Sequence, residues 1–341
     1  TNGRAADDAV ASWVPMHHDM GLIGCVIQPL YVGARMVLMS PLAFLQKPVR
    51  WLRAIEEHGA TNSGSPNFGY ELCLRQISDA QCRGLDLSRW RLAFCGSEPV
   101  RPRTMERFAA RFAPFGFDPA ALYACYGLAE ATLLVTGGCA GAGIAHRRVT
   151  GAVQATVSCG GPAPGCEIAL VGPGGGLAAA GETGEICVRG EHVSPGFWSA
   201  RDRAIVADAG RQCMIEDRRF LRTGDLGSIV KGELHVVGRI KDMLIVRGMN
   251  LYAEDVEETV ALSVETAGIA ASAAFGVETG YAERLVLVCE LERGRARPAD
   301  PEPLRDRVRR VVSDDHGVMP AEVVIAVSGS ISRSSGGKVQ R

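Results

Sequence analysis

The chain has 341 residues, 47% of them hydrophobic, with a formal net charge of −1; that length exceeds one ordinary core, so two or more domains are expected. The balanced charge lacks the basic surplus of a nucleic-acid binder. No apolar run reaches the roughly 18 residues of a membrane span and no basic-then-apolar leader opens the chain. The eleven cysteines contain no Cys-x-x-Cys pair, so reduced, buried thiols in a cytoplasmic protein are expected, not a disulfide frame or a zinc site.

Trp13 to Gly24 reads as a strand end, a polar turn and a helix start, with Asp19 as N-cap for the apolar stretch Met20 to Leu30. His17-His18-Asp19 does not read as a metal site, because neighbouring side chains diverge and no third ligand follows at helical spacing. Nor does it meet the His-His-x-x-x-Asp pattern of peptide condensation domains, since Leu22 stands in the acid's place. A substrate-pocket wall and a histidine pair that merely satisfies a turn both remain. Val32 to Met39 is expected as a strand, Pro48 to His58 as an amphipathic helix and Gly59 to Asn67 as a strand ending in a polar loop. A helix is expected over Tyr70 to Ile77, a buried strand from Leu92 that breaks at Gly96, and a helix over Arg101 to Phe112. Strands alternating with helices at this spacing give a mostly parallel sheet. Ligands in such sheets sit beyond the carboxyl ends of the strands, where Gly96-Ser97-Glu98-Pro99 falls.

Leu122 to Tyr126 is a strand with Gly127-Leu128-Ala129-Glu130 as its exit, and Tyr126 can stack on a base. Leu134 to Val157, rich in Gly, Ala and basic residues, reads as a loop or an inserted lobe. Cys166 to Val171 and Gly184 to Gly190 are strands of a small barrel-like subdomain ending near Val237. The glycine run Gly172 to Gly176 between them precedes no helix, so it reads as a hairpin loop and not a phosphate cradle. Phe220 to Glu254 then gives a turn carrying Asp225, a strand from Gly232 to Val237, and a second turn carrying Arg239 and Lys241. A carboxylate and a guanidinium so placed can clasp one polar ligand, the acid accepting two hydrogen bonds from a vicinal diol. Two ordinary turns with solvated charges satisfy the same pattern.

Beyond Lys241 the expected elements are a helix from Ala253 to Leu262, strands over Ala270 to Gly276 and Leu285 to Leu291, and a helix from Leu304 to Asp315. They form a small α+β domain. Lys338, flanked by glycines in Ser-Ser-Gly-Gly-Lys, reads either as a flexible ammonium able to reach anionic oxygens or as a basic terminus.

Four stretches in this order resemble core motifs of the adenylate-forming superfamily: Tyr126-Gly127-Leu128-Ala129-Glu130-Ala131-Thr132, Thr223-Gly224-Asp225, Gly238-Arg239-Ile240-Lys241-Asp242, and Arg333 to Arg341. Pro15-Met16-His17-His18-Asp19-Met20-Gly21-Leu22-Ile23-Gly24 is similar to the signature of its fatty acyl-AMP ligase branch, whose members usually have Tyr in place of His17. The superfamily commonly has Thr before the motif's Glu; Ala129 stands here, as in that branch. The family's Pro-x-Thr-Ser-Ser-Gly-Lys becomes Ser332-Arg333-Ser334-Ser335-Gly336-Gly337-Lys338, which keeps the lysine and its preceding glycine.

The resemblance implies an α/β fold: the remainder of a large mixed α/β adenylation core (1–157) with a small β-barrel-like subdomain (158–238), plus a mobile C-terminal α+β domain (239–341). It implies ATP and Mg2+ as cofactors and activation of a fatty acid to its acyl-adenylate. Transfer to an acyl carrier protein or a phosphopantetheine-bearing synthase follows, with no nucleic acid and no stable membrane insertion. By the same resemblance Lys338 and Glu130 are catalytic, Glu130 holding the metal. Gly96, Ser97, Glu98, Tyr126 and Gly127 hold adenine, Asp225 and Arg239 the ribose, His18 lines the acyl pocket, and Lys241 is the hinge. Fatty acyl-AMP ligases carry an extra segment near Leu134 to Val157 that disfavours coenzyme A. Many members have Ala where Ser97 stands. The family's Ser/Thr/Gly-rich loop ending in Pro-Lys-Gly is absent from the twelve residues before Trp13, so weak or no activation is expected from this chain alone. An acyl-CoA ligase and a non-catalytic nucleotide-binding fragment are the alternatives.

Overall fold

The computed structural model describes residues 7–152, 154–246, 249–263, 268–279, 282–333 and 339–340. The chain divides into two compact units, Thr1–Val237 and Gly238–Arg341.

The first unit opens with strands β1 (Ala9–Ser12), β2 (Arg35–Leu38), β3 (Asn62–Ser65), β4 (Leu92–Cys95), β5 (Leu122–Gly127) and β6 (Leu134–Gly137). Short strands β7 (His146–Arg147), β8 (Thr156–Val157) and β9 (Gly161–Pro162) follow. The main sheet runs β2-β1-β3-β4-β5-β6-β9. Its first five members are parallel, and β6 and β9 join antiparallel. Leu134 to Gly137 is therefore sheet and not loop, because Val135 is fully buried and pairing with β5 outweighs the weak local pattern. His146–Arg147 and Thr156–Val157 form a small hairpin in the rest of that stretch.

Helices α1 (Gln28–Val32), α2 (Pro41–Gln46), α3 (Val49–Glu57), α4 (Asn67–Gln76) and α5 (Pro102–Phe112) intervene between the strands. In α3 the residues Val49, Trp51, Leu52, Ala54 and Ile55 are buried, the inward face that the sequence period requires. They pack into an aromatic core. Trp13 stacks on Phe44 at 3.9 Å, and Trp51, Tyr70, Trp90 and Phe108 meet edge to face. Two of its indole nitrogens are satisfied, Trp51 donating to Ser63 Oγ at 2.8 Å and Trp90 to Leu92 O at 3.0 Å, whereas the buried Trp13 Nε1 has no hydrogen-bond partner among the described residues.

The second sheet contains β10 (Glu167–Val171) and β11 (Thr183–Arg189); a hairpin of β12 (Phe197–Ser199) and β13 (Ala204–Val206) precedes β14 (Gln212–Ile215), β15 (Arg218–Val230) and β16 (Glu233–Arg239). Its order is β10-β11-β15-β14, with β16 on β15. The glycine run after β10 closes on itself, Gly172 N donating to Gly176 O at 2.8 Å, as a hairpin loop does. All eleven cysteines are free thiols, and burial pushes Cys125 and Cys159 up to about 12.

The second unit holds β17 (Met243–Val246), β18 (Met249–Tyr252), α6 (Ala253–Ser263), β19 (Ile269–Thr279), β20 (Ala282–Leu291), α7 (Glu302–His316) and β21 (Glu322–Ala326). β19 and β20 are antiparallel and β21 adds parallel to β20. α6 and α7 contribute Val256, Val260, Val308 and Val312 to its own core. Among the described residues, no helix is long and apolar enough to cross a membrane.

Candidate active site

Parallel order reverses between β1 and β3: the chain steps from β1 to β2 on one side, then crosses to β3, β4 and β5 on the other. A crevice outside the strand carboxyl ends forms at such a reversal. The segments leaving those ends are Trp13 to Asp19, Pro66-Asn67, Gly96 to Glu98 and Leu128 to Glu130. Every site residue expected in the first 157 positions lies in one of these exits or at the final turn of β5.

After β1, His18 Nδ1 lies 2.5 Å from Asp19 Oδ1. Asp19 caps the following segment by accepting Met20 N at 2.8 Å. That segment is π-helical (Met20–Ile27) before it tightens into α1. The cap thus orients the imidazole while the side chain stays 31% exposed. After β4, Gly96 leads to Ser97, whose φ of 67° is left-handed. Glu98 turns back and accepts Phe68 N at 2.5 Å, in the first turn of α4, where a carboxylate also meets the positive end of the helix. Asn67 Oδ1 accepts Arg101 N at 3.0 Å, so the β3 and β4 exits are cross-tied.

The Asp225 segment departs from the sequence reading. Thr223-Gly224-Asp225 is no turn; it lies inside the thirteen-residue strand β15. Opposite it the register slips: Cys187 pairs with Arg222 and Glu185 with Leu226, so three residues face one. This bulge leaves amides without ladder partners, and side chains supply them. Gly224 N, at a φ of 76°, donates to Glu185 Oε1 at 3.1 Å, and Asp225 N donates to Thr223 Oγ1 at 3.1 Å. The Thr223 hydroxyl donates to Ile186 O at 2.8 Å. Bulges re-aim side chains, and this one brings Asp225 Oδ2 within 2.8 Å of the Tyr126 hydroxyl, which donates to it from the end of β5. Two residues 99 positions apart thereby share a buried hydrogen bond.

Glu130 lies on the turn Ala129–Ala131 after β5. Its backbone oxygen accepts Ser194 N at 2.7 Å, and its carboxylate pairs with Arg211 Nη1 at 2.5 Å. Among the described residues no three His, Cys, Asp or Glu side chains gather as a metal cage. A magnesium ion delivered by nucleotide phosphates needs only one or two protein carboxylates, and Glu130, partly exposed at the strand exits, fits that requirement.

Arg239 ends β16 and Lys241 lies in the turn Ile240–Asp242; both belong to the second unit, which starts at Gly238. Lys338 lies outside the described residues. Sequence reasoning missed Arg211 and Glu185, whose partners are 81 and 37 positions away with no periodic signal to link them.

The family model for AMP-binding enzymes matches residues 1–198, more than half the chain. The chain belongs to the AMP-binding enzyme family. It is 39% identical over 99% of its length to the medium-chain-fatty-acid–[acyl-carrier-protein] ligase JamA of Moorena producens (strain JHB), covering 60% of that protein. It is 37% identical to the long-chain-fatty-acid–AMP ligase FadD26 of Mycobacterium marinum (strain ATCC BAA-535 / M), covering 98% of this chain and 61% of the relative. A structure from work on fatty acyl-adenylate ligases from E. coli and L. pneumophila superposes with a TM-score of 0.83 at 29% identity, covering 98% of this chain and 60% of the other. The chain thus spans about 60% of the length of the relatives it matches. The mixed α/β fold expected from the sequence is the fold of this family.

Proposed function

We propose that this member of the family belongs to an enzyme that activates a fatty acid as its acyl-adenylate with ATP and passes the acyl group to an acyl carrier protein. The observation that carries the reading is the Tyr126–Asp225 hydrogen bond at the strand exits, in a chain 39% identical to a fatty-acid–carrier-protein ligase. A carboxylate has about four acceptor positions; Tyr126 fills one and fixes its direction, and a ribose diol is the ligand it would accept from. Tyr126 presents its ring to adenine, with Gly96, Ser97, Glu98 and Gly127 forming the rest of that wall. His18, steadied by Asp19, lines the acyl end. Arg239 adds a ribose donor, Lys241 is the hinge, and Lys338 meets the reacting carboxylate and the α-phosphate.

The fatty-acid carboxylate oxygen attacks the α-phosphorus, the bond to the bridging oxygen breaks, and pyrophosphate leaves. The protein's part is placement and charge neutralisation. Magnesium, held at Glu130, would neutralise phosphate charge. A carrier-protein phosphopantetheine thiol then takes the acyl group and AMP departs.

A second reading has support of its own, a 37% identity to the putative fatty-acid–CoA ligase FadD21 of Mycobacterium tuberculosis (strain ATCC 25618 / H37Rv). Product mass analysis of the full gene product with ATP, a medium-chain acid, and either free coenzyme A or a carrier protein separates the two. Acyl-AMP and acylated carrier are expected, and both should vanish in Lys338→Ala. Efficient acyl-CoA formation would favour the second reading, and unchanged acyl-AMP in Lys338→Ala would remove the lysine's role.

A further inference from the structure

The Arg211–Glu130 pair has the form of an exchangeable contact. Its side chains are 30% and 25% exposed, and an ion pair that solvent reaches holds its partners only weakly. The turn that carries Glu130 does not depend on it. Ser194 N donates to Glu130 O at 2.7 Å, and Thr132 Oγ1 donates to His192 O at 2.9 Å. Arg211 is likewise held through its backbone, its amide donating to Asp208 O at 3.1 Å at the entry to β14. Both backbones are thus anchored, and only the side chains meet.

The carboxylate that Arg211 holds is the one a nucleotide-borne metal would need. A guanidinium and a divalent cation cannot share one carboxylate oxygen without strong repulsion. Phosphate oxygens resolve the conflict, because a guanidinium binds a phosphate by two parallel charge-assisted hydrogen bonds and a polyphosphate carries several charges.

Resting on the nucleotide-site reading above, we propose that Arg211 is a phosphate-sensing residue of this site. Without nucleotide it holds the Glu130 carboxylate; the terminal phosphates of a nucleoside triphosphate, or pyrophosphate, draw it away and leave Glu130 for the metal. The two side chains therefore have opposite relations to a polyphosphate: Arg211 attracts it, and Glu130 competes for Arg211.

The test is calorimetric titration of the full gene product with inorganic pyrophosphate and with AMP, both in EDTA so that no metal takes part. Arg211→Gln is expected to bind pyrophosphate about tenfold more weakly, the size of one charge-assisted hydrogen bond, with AMP binding unchanged. Glu130→Gln is expected to bind pyrophosphate more tightly than the parent protein, because the competing carboxylate is gone. Arg211→Lys should recover part of the loss. A merely structural pair would move both variants the same way, so weaker pyrophosphate binding in Glu130→Gln, or unchanged binding in Arg211→Gln, overturns the proposal. If the parent binds AMP but not pyrophosphate, the proposal alone fails; if it binds neither, the nucleotide-site reading fails and takes the proposal with it.

Discussion

Tyr126→Phe isolates one hydrogen bond, since the ring stays and only the hydroxyl that donates to Asp225 Oδ2 at 2.8 Å is lost. Both residues are buried, Tyr126 at 8% and Asp225 at 7% exposure, so water does not readily replace the donor. A hydrogen bond to a charged group contributes about 1.5–3 kcal/mol. For a unit of this size a loss of about 2 kcal/mol lowers Tm by roughly 4–8 °C. Nucleotide binding should weaken by about tenfold, because an unsteered carboxylate must be ordered at the moment of binding. Thermal unfolding and AMP titration of the full gene product read the two effects. A double-mutant cycle with Asp225→Asn should return a coupling of about 1–2 kcal/mol. Parent-like Tm together with strict additivity in the cycle would refute the claim that the hydroxyl positions the acid.

Gly127→Ala puts a Cβ 1.7 Å from Leu133 O, so backbone must shift; a loss of about 3 kcal/mol is expected in thermal unfolding, and a parent-like Tm would contradict the close approach. Ser97→Gly removes the strain of a left-handed serine at φ 67° and should raise stability by up to about 1 kcal/mol; a clear fall would mean the hydroxyl, not the backbone, matters there. In the second unit His316 is buried and its Nε2 lies 2.9 Å from Thr259 Oγ1. Burial, only partly offset by Asp255 and Asp315, holds its pKa below the ordinary 6.5. The unfolded chain therefore binds the proton more readily. This contribution to stability is complete above pH 6.5 and is lost as pH falls from there towards the folded pKa. Urea unfolding followed from pH 7.5 down to 5 should show that slope for the second unit, and His316→Gln should flatten it.

Much of the first unit could be read from the chain because its signals are local. The α3 period from Val49 to Ile55 and the apolar strand Leu92 to Cys95 ending at Gly96 appear nearly where spacing puts them. The exits that carry His18, Gly96 to Glu98 and Glu130 follow from that alternation. What escaped reading depends on distant partners. Strand β6 is four residues long and is defined by pairing with β5. The hairpin Met243–Val246 with Met249–Tyr252 and the strand Glu322–Ala326 were likewise missed, each being short and set by its neighbour. At Thr223 to Asp225 the glycine suggested a turn, but Glu185 and the Thr223 hydroxyl satisfy the amides and let the strand continue. Nothing in the spacing of Tyr126 and Asp225 announces their hydrogen bond, which arises only when β5 and the slipped register of β15 are folded.

That slipped register adds two residues to one strand, an even surplus, so the alternation of faces resumes in phase beyond it. Side chains along a strand alternate faces, so an even insertion preserves the faces beyond it and an odd one exchanges them. Ser228, buried near the far end of β15, keeps its face because the surplus at Thr223 to Asp225 is even. Deleting a single residue there would make the surplus odd and exchange the two faces of the strand beyond it, moving Ser228 off its buried position. Evolution can therefore vary residue identity along β15 far more freely than it can vary its length.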